Sequence, residues 1–288
     1  MAVKKEKKLK PAKLTINSIR AMHTQEEKIV AVTAYDFTMA QMMDDAGADI
    51  ILVGDSLGMV VQGEANTLSV NIDDMIYHTR CVAKAAKRAH VMADMPFMSY
   101  QASHEEGVQN AGLLIKAGAE SVKIEGGEEI ADFVWYLGQI GIPVMAHIGL
   151  KPQSIHTMGG YRIQGKTKAE ADTIINDAKI MEEAGAFGLL LEGIPMEVAK
   201  EITESVAIPT IGISSGPYCS GQILVSYDLL GANPEFTPRF IRQYMNMYEA
   251  VTDAVGKYVD DVKERRFPNE VESFHRNLVE VKPVKKEK

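Results

Sequence analysis

Two cysteines in 288 residues, Cys81 and Cys219, are too few for a disulfide framework. No apolar run approaches the roughly 18 residues of a membrane span. No charged-then-apolar leader opens the chain, so the expected compartment is a reducing cytoplasm with no membrane contact. Positive charge is scarce except at the two ends. The net charge is −8, yet Met1 to Lys13 holds six Lys against one Glu, and Val281 to Lys288 holds four Lys against one Glu. The body between is therefore more acidic than the whole, which argues against nucleic acid as a partner, and the basic ends read as solvated tails. A glycine-rich nucleotide loop is also missing. Thr33-Ala34-Tyr35-Asp36 stands where a doubly wound sheet would place one after its first strand.

What the chain does have is alternation. From Lys28 onward, short β-branched runs alternate with longer segments of helical period, the pattern of repeated βα units. The runs are Ile29 to Ala34, Asp49 to Val53, His90 to Ala93, Ser121 to Ile124, Pro143 to Ala146, Gly188 to Leu191, Ile208 to Ile213 and, more weakly, Gln222 to Ser226. Eight such strands close a parallel (β/α)8 TIM barrel. Between them, Asn71 to Ala89 repeats Ile72, Met75, Ile76, Thr79 and Val82 at helical spacing. Gly47, Gly118 and Gly185 each follow a helical stretch and precede an apolar run, as left-handed helix caps do. The predicted layout is a basic tail and lead-in over 1–27, one barrel domain with extra C-terminal helices over 28–275, and a basic tail over 276–288. Thr237 to Arg265 reads as one or two amphipathic helices that either line the barrel wall or make a subunit contact.

Loops after the strands of such a barrel gather on one face, and polar residues end nearly every strand here. They are Asp55-Ser56 after the second, Asp94 at the third, Lys123 and Glu125 at the fourth, His147 at the fifth and Glu192 at the sixth. In Ser121-Val122-Lys123-Ile124-Glu125 the polar residues share one face, so Lys123 and Glu125 are expected to point into the barrel mouth. The same parity groups Ile51 and Val53 with Asp55, Met92 with Asp94, Met145 with His147, and Leu190 with Glu192. So many buried charges point to a site, because each would cost several kcal/mol unpaired, on the order of the desolvation penalty.

The residue types suggest the chemistry. Asp55, Asp94 and Glu125 form an oxygen-rich cluster suited to Mg²⁺, whereas one imidazole and no thiolate at the strand ends disfavour zinc. A 2-oxo acid chelated there would be polarised toward an enolate. Lys123 and His147 would neutralise its remaining charge, with Glu192 as general base. His156, in the loop after the fifth strand, is a further candidate. The segment Gly159 to Gly165, with Tyr161 and Arg162, reads as a lid.

These residues resemble the ketopantoate hydroxymethyltransferase family. The resemblance is carried by Thr33-Ala34-Tyr35-Asp36, by Leu52 to Met59, by Ala93 to Tyr100, by Val122 to Gly127, by His147-Ile148-Gly149-Leu150 with Pro152-Gln153-Ser154, and by Leu191-Glu192. It implies a cytoplasmic homo-oligomer, typically a decamer, that moves a one-carbon unit from 5,10-methylenetetrahydrofolate to 3-methyl-2-oxobutanoate. Carried over, it implies Mg²⁺ on Asp55 and Asp94 with Glu125 close by, substrate contacts from Ser56, Lys123 and His147, and Glu192 as the base at C3. The chain departs from the family pattern at Ser69, Ser214, Ser215, Ser220 and Tyr227, changes expected to alter loops at the barrel rim. Two other readings are a Mg²⁺-dependent lyase of the isocitrate lyase and phosphoenolpyruvate mutase type, and a catalytically silent barrel.

Overall fold

The computed structural model describes residues 12–234 and 238–276. Most of both basic ends lies outside them. The eight expected runs form eight strands: β1 (Ile29–Thr33), β2 (Ile50–Val53), β3 (His90–Asp94), β4 (Ser121–Glu125), β5 (Val144–Gly149), β6 (Gly188–Glu192), β7 (Thr210–Ile213) and β8 (Gly221–Leu224). All neighbours pair in parallel, and β8 closes on β1 with Ile29 opposite Gly221. A closed sheet leaves no edge to aggregate.

Helix α1 (Ile16–Thr24) precedes the barrel. The helices α2 (Phe37–Ala46), α3 (Ile72–Ala85), α4 (His104–Ala117), α5 (Ala131–Gln139), α6 (Lys168–Glu183) and α7 (Met196–Ser205) follow the first six strands in turn. Local chemistry sets their ends. At α3, Asn71 accepts from Asp74 N while Asp74 accepts from Asn71 N, and Met75, Thr79 and Val82 form the buried face. The expected glycine joints hold, since Gly47 and Gly118 cap α2 and α4 at φ +96° and +112°. Between β7 and β8 there is no helix. Residues 214–220 make that return as a loop, and an extended chain of that length is about 20 Å long, enough to run back down the barrel wall.

Strand parity sorts the core into two layers. Ile29, Ala31, Ile50, Leu52, Met92, Met145, Leu190, Ile211 and Ile223 fill the barrel interior. Val32, Val53, Val91, Val122, Ile124, Val144, Leu189 and Leu191 pack outward under the helices. The expected grouping of Ile51 and Val53 with Asp55 is therefore wrong. Ile50 and Leu52 face inward, and β2 ends at Val53, so the turn at Gly54-Asp55 resets the alternation and sends Asp55 inward after all.

The lead-in segment contains more order than the sequence suggests. Thr15 and Ser18 form a capping box that starts α1, and Ile19 is fully buried against the interior layer from below. Burial of one such side chain contributes about 1.5–3 kcal/mol. Lys13 ties the segment down through a 3.0 Å ion pair with Glu120 and a 2.6 Å hydrogen bond to the Ala89 carbonyl. At the other end, one helix, α8 (Met247–Lys263), replaces the one or two expected over Thr237 to Arg265. Thr237 itself lies outside the described residues. None of α8 is fully buried, so it is not an ordinary wall helix.

Candidate active site

The barrel register brings the charged strand ends together. Asp94 lies opposite Lys123 across β3 and β4, and Glu125 lies opposite His147 across β4 and β5. Lys123 Nζ is 2.6 Å from Asp94 Oδ1 and 4.0 Å from Glu125 Oε1. His147 sits between two acids, with Nδ1 3.5 Å from Glu125 Oε1 and Nε2 3.4 Å from Glu192 Oε2. Asp55 joins through its backbone N–H, which donates to Asp94 Oδ2 at 2.9 Å. Tyr35 OH and Ser56 Oγ share a hydrogen bond of 2.8 Å. Asp55, Ser56, Asp94, Lys123, Glu125, His147 and Glu192 all line one cavity of about 400 Å³. These seven strand-end residues are thus in one place.

Protonation follows from the crowding. Burial and the Asp94 charge push the Asp55 carboxyl well above the usual carboxylate range, with Lys123 opposing them. Burial acts to lower Lys123, but Asp94, Glu125 and Asp55 outweigh it and hold the ammonium charged. For Glu125, burial is overcome by hydrogen bonding and charge from His147 and by Lys123, so the carboxylate is favoured. Burial and Lys123 would make His147 neutral, yet Glu125 and Glu192 push it up to about 9. In metal-free protein, the His147 ring should stay cationic through pH 7 when followed by NMR. Its folded value exceeds the ordinary 6.5, so the stability it adds is full below that value and is lost as pH rises through about 9. Titration at or below 6.5 would show that burial wins.

One residue of this centre was not expected as a site residue. Gln153, in a 3₁₀ turn after β5, is 5% exposed and donates through Nε2 to Asp55 Oδ2 and to the Met95 carbonyl, both at 2.9 Å. Its backbone N–H donates to Glu125 Oε2 at 2.9 Å, and its Oε1 lies 3.1 Å from Tyr100 OH and accepts from Gln101 Nε2 at 3.1 Å. The available signal was its position in a loop on the face where strand ends meet. Gln153→Leu should lower stability by about 1–3 kcal/mol in thermal or urea unfolding, and Gln153→Glu by more, since it adds a further buried carboxylate beside Asp55 and Glu125.

The remaining candidates divide. Tyr161, Arg162 and Ile163 line the cavity, and Tyr161 OH reaches Met59 Sδ at 3.5 Å across the mouth. His156 is exposed and does not line it. Ser214 lines the rim at φ +54°, a backbone conformation that a side chain disfavours. Ser215 Oγ donates to the Leu191 carbonyl next to Glu192. Ser220 does not belong to the rim. It precedes β8 at the barrel floor, where its hydroxyl lies 2.9 Å from His23 Nδ1 and accepts from Thr210 N.

Among the described residues, no three His, Cys, Asp or Glu side chains form a ready-made metal cage. The donor set still fits a hard divalent cation. Asp94 Oδ1 and Glu125 Oε1 are buried and are met only by the Lys123 and His147 side chains, and the crowding of acids that raises Asp55 is what such an ion would relieve. Mg²⁺ commonly takes only one or two protein carboxylates, with water and substrate oxygens completing its shell.

A model of the ketopantoate hydroxymethyltransferase family matches residues 13–270. The chain belongs to the ketopantoate hydroxymethyltransferase family. It is 50% identical over 263 residues to a 3-methyl-2-oxobutanoate hydroxymethyltransferase of Thermoanaerobacter sp. (strain X514), covering 91% of this chain and 96% of that one. It is 51% identical over 258 residues to the enzyme of the same name from Ignicoccus hospitalis, covering 90% and 98%. Among solved structures, phosphonopyruvate hydrolase in complex with oxalate and Mg²⁺ superposes with a TM-score of 0.59 at 13% identity, covering 90% of this chain and 93% of that one. A 2,3-dimethylmalate lyase superposes at 0.57 with 15% identity, covering 93% and 92%. At such identities these two share the barrel with the ketopantoate hydroxymethyltransferase family and nothing finer follows.

Proposed function

We propose that the protein transfers a hydroxymethyl group from 5,10-methylenetetrahydrofolate to 3-methyl-2-oxobutanoate, giving 2-dehydropantoate for pantothenate and coenzyme A synthesis. The observation that carries this reading is the His147 bridge between Glu125 and Glu192, beside the Asp55–Asp94–Lys123 cluster, in a chain half identical to enzymes of that name. Asp55 and Asp94 would hold Mg²⁺, with Glu125 next to it; when bound, the ion supplies Lewis-acid polarisation of the keto oxygen. Lys123, His147 and Ser56 would orient the oxo acid and balance its charge. Glu192 takes the proton from C3, and that carbon then bonds to the methylene carbon as a carbon–nitrogen bond of the folate breaks. Water supplies the hydroxyl oxygen as the second carbon–nitrogen bond of that methylene breaks, and tetrahydrofolate leaves with the C3 proton and one water proton on its two nitrogens.

The barrel over 28–275 is the catalytic unit in this proposal, and the protein works in the cytoplasm. No helix among the described residues is long and apolar enough to cross a membrane. Helix α8 exposes Tyr248, Val251, Val255, Tyr258 and Val259 along its length, and α5 exposes Trp135 and Tyr136. Apolar faces of this size support self-association, with a decamer as the proposed state. The lyase reading has only the shared barrel in its favour.

The test is incubation with Mg²⁺, 3-methyl-2-oxobutanoate and 5,10-methylenetetrahydrofolate, with NMR detection of 2-dehydropantoate and of deuterium exchange at C3. Product formation is the expected result. Exchange without product would remove the one-carbon transfer, and absence of both would leave the silent barrel.

A further inference from the structure

The cavity has two unlike halves. The strand ends of β2 to β6 supply the charges described above. The half formed by β7, β8 and the chain beyond them is apolar, walled by Ile213, Ile223, Val225, Phe240 and Ile241. Among the described residues, this half contains a single ionisable side chain, Asp228, which makes no hydrogen bond or ion pair through its carboxylate. Its position is fixed by its neighbours. Ser226 N donates to Thr33 Oγ1 at 3.0 Å, and the Tyr227 ring lies 5.9 Å from that of Tyr35.

Asp228 is half-buried, and a partly desolvated carboxylate with no protein donor is a group that the N–H donors of a ligand can satisfy. Burial pushes the Asp228 carboxyl up, and no cation among the described residues offsets that. The complementary ligand is flat and apolar over most of its surface and presents two parallel N–H donors at one edge. A carboxylate accepts both at once.

We propose that Asp228 binds the 2-amino-4-oxopyrimidine edge of a reduced pterin whose ring lies along the β7–β8 wall. This rests on the one-carbon transfer proposed above, and adds the residue that recognises the donor. Placement is consistent with that reaction. Glu192 lies opposite Ile213 in the β6–β7 register, so a pterin on this wall abuts the carbon from which Glu192 takes its proton.

The test compares the Mg²⁺-loaded wild-type protein with Asp228→Asn. Exchange at C3 of 3-methyl-2-oxobutanoate needs no pterin, so it reports the fold and the oxo acid centre separately. Titration with tetrahydrofolate should show affinity falling about 10- to 100-fold in the variant, the worth of a charge-assisted pair. A tetrahydropterin lacking its 2-amino group should bind more weakly than its parent to the wild type, and equally to the variant. Unchanged tetrahydrofolate affinity in Asp228→Asn overturns the proposal, and so does loss of C3 exchange in step with affinity, which would make Asp228 part of the frame. A wild type that neither exchanges nor binds tetrahydrofolate refutes the underlying reaction instead.

Discussion

Glu192→Gln is expected to leave the barrel folded and to reduce turnover by about 10²- to 10⁴-fold, the usual worth of a positioned general base. Of the charged groups at the ends of β3 to β6, Glu192 is the one whose loss strains the structure least. Its side chain is 21% exposed, and its charged partner is His147, 3.4 Å away. His147 keeps Glu125 on its other nitrogen, so the amide of Gln can accept a hydrogen bond from the ring without leaving a buried charge alone. Thermal unfolding should therefore shift little. Deuterium incorporation at C3 of 3-methyl-2-oxobutanoate should disappear, and a variant that still exchanges would remove Glu192 from the role of base.

The largest effect on stability is expected at Lys123. Its ammonium sits among Asp94, Glu125 and Asp55 with its side chain 5% exposed. Lys123→Met preserves much of the volume but leaves the buried Asp94 and Asp55 without their cation, while Glu125 keeps His147. Breaking a buried ion pair by removing one partner costs about 3–5 kcal/mol. Urea unfolding of the metal-free variant should show a loss of that size, with partial recovery in millimolar Mg²⁺, because a divalent ion at the acids can replace the missing charge. A loss below about 1 kcal/mol would mean that the carboxyl groups simply take up protons.

Much of this was legible in the sequence because the barrel imposes two simple rules. Eight apolar runs must be eight strands, and alternation within β4 must put Lys123 and Glu125 on the same side. Alternation fails where a strand stops. Asp55 lies beyond Val53, so its direction is set by a turn and could not be counted from Ile51. Gln153 escaped because a neutral amide in a 3₁₀ turn has neither charge nor periodicity to mark it, although it holds Asp55 and Glu125 together. Helix α1 escaped because its nine residues are too short a stretch for Ile16, Ile19 and Met22 to stand out as a helical period, and they matter through tertiary burial. Ser220 was misassigned to the rim because position in sequence after β7 does not reveal where the chain turns back. With no helix in that return, the loop reaches the floor before β8 begins.

The closure of β8 on β1 also constrains how the protein acquires its shape. Thr33 and Ser226 meet across 193 positions of sequence, and strand partners so distant form slowly, since a long loop must be ordered before the contact is gained. During synthesis, the first seven strands emerge while both β1 and β7 still lack a neighbour, a form open to pairing with other nascent chains. The cavity likewise lacks its full apolar wall until the chain passes Ile241. Folding of this barrel thus ends where the binding of its second substrate is proposed to begin, and late-stage refolding should be visible as the Tyr35 and Tyr227 rings come together.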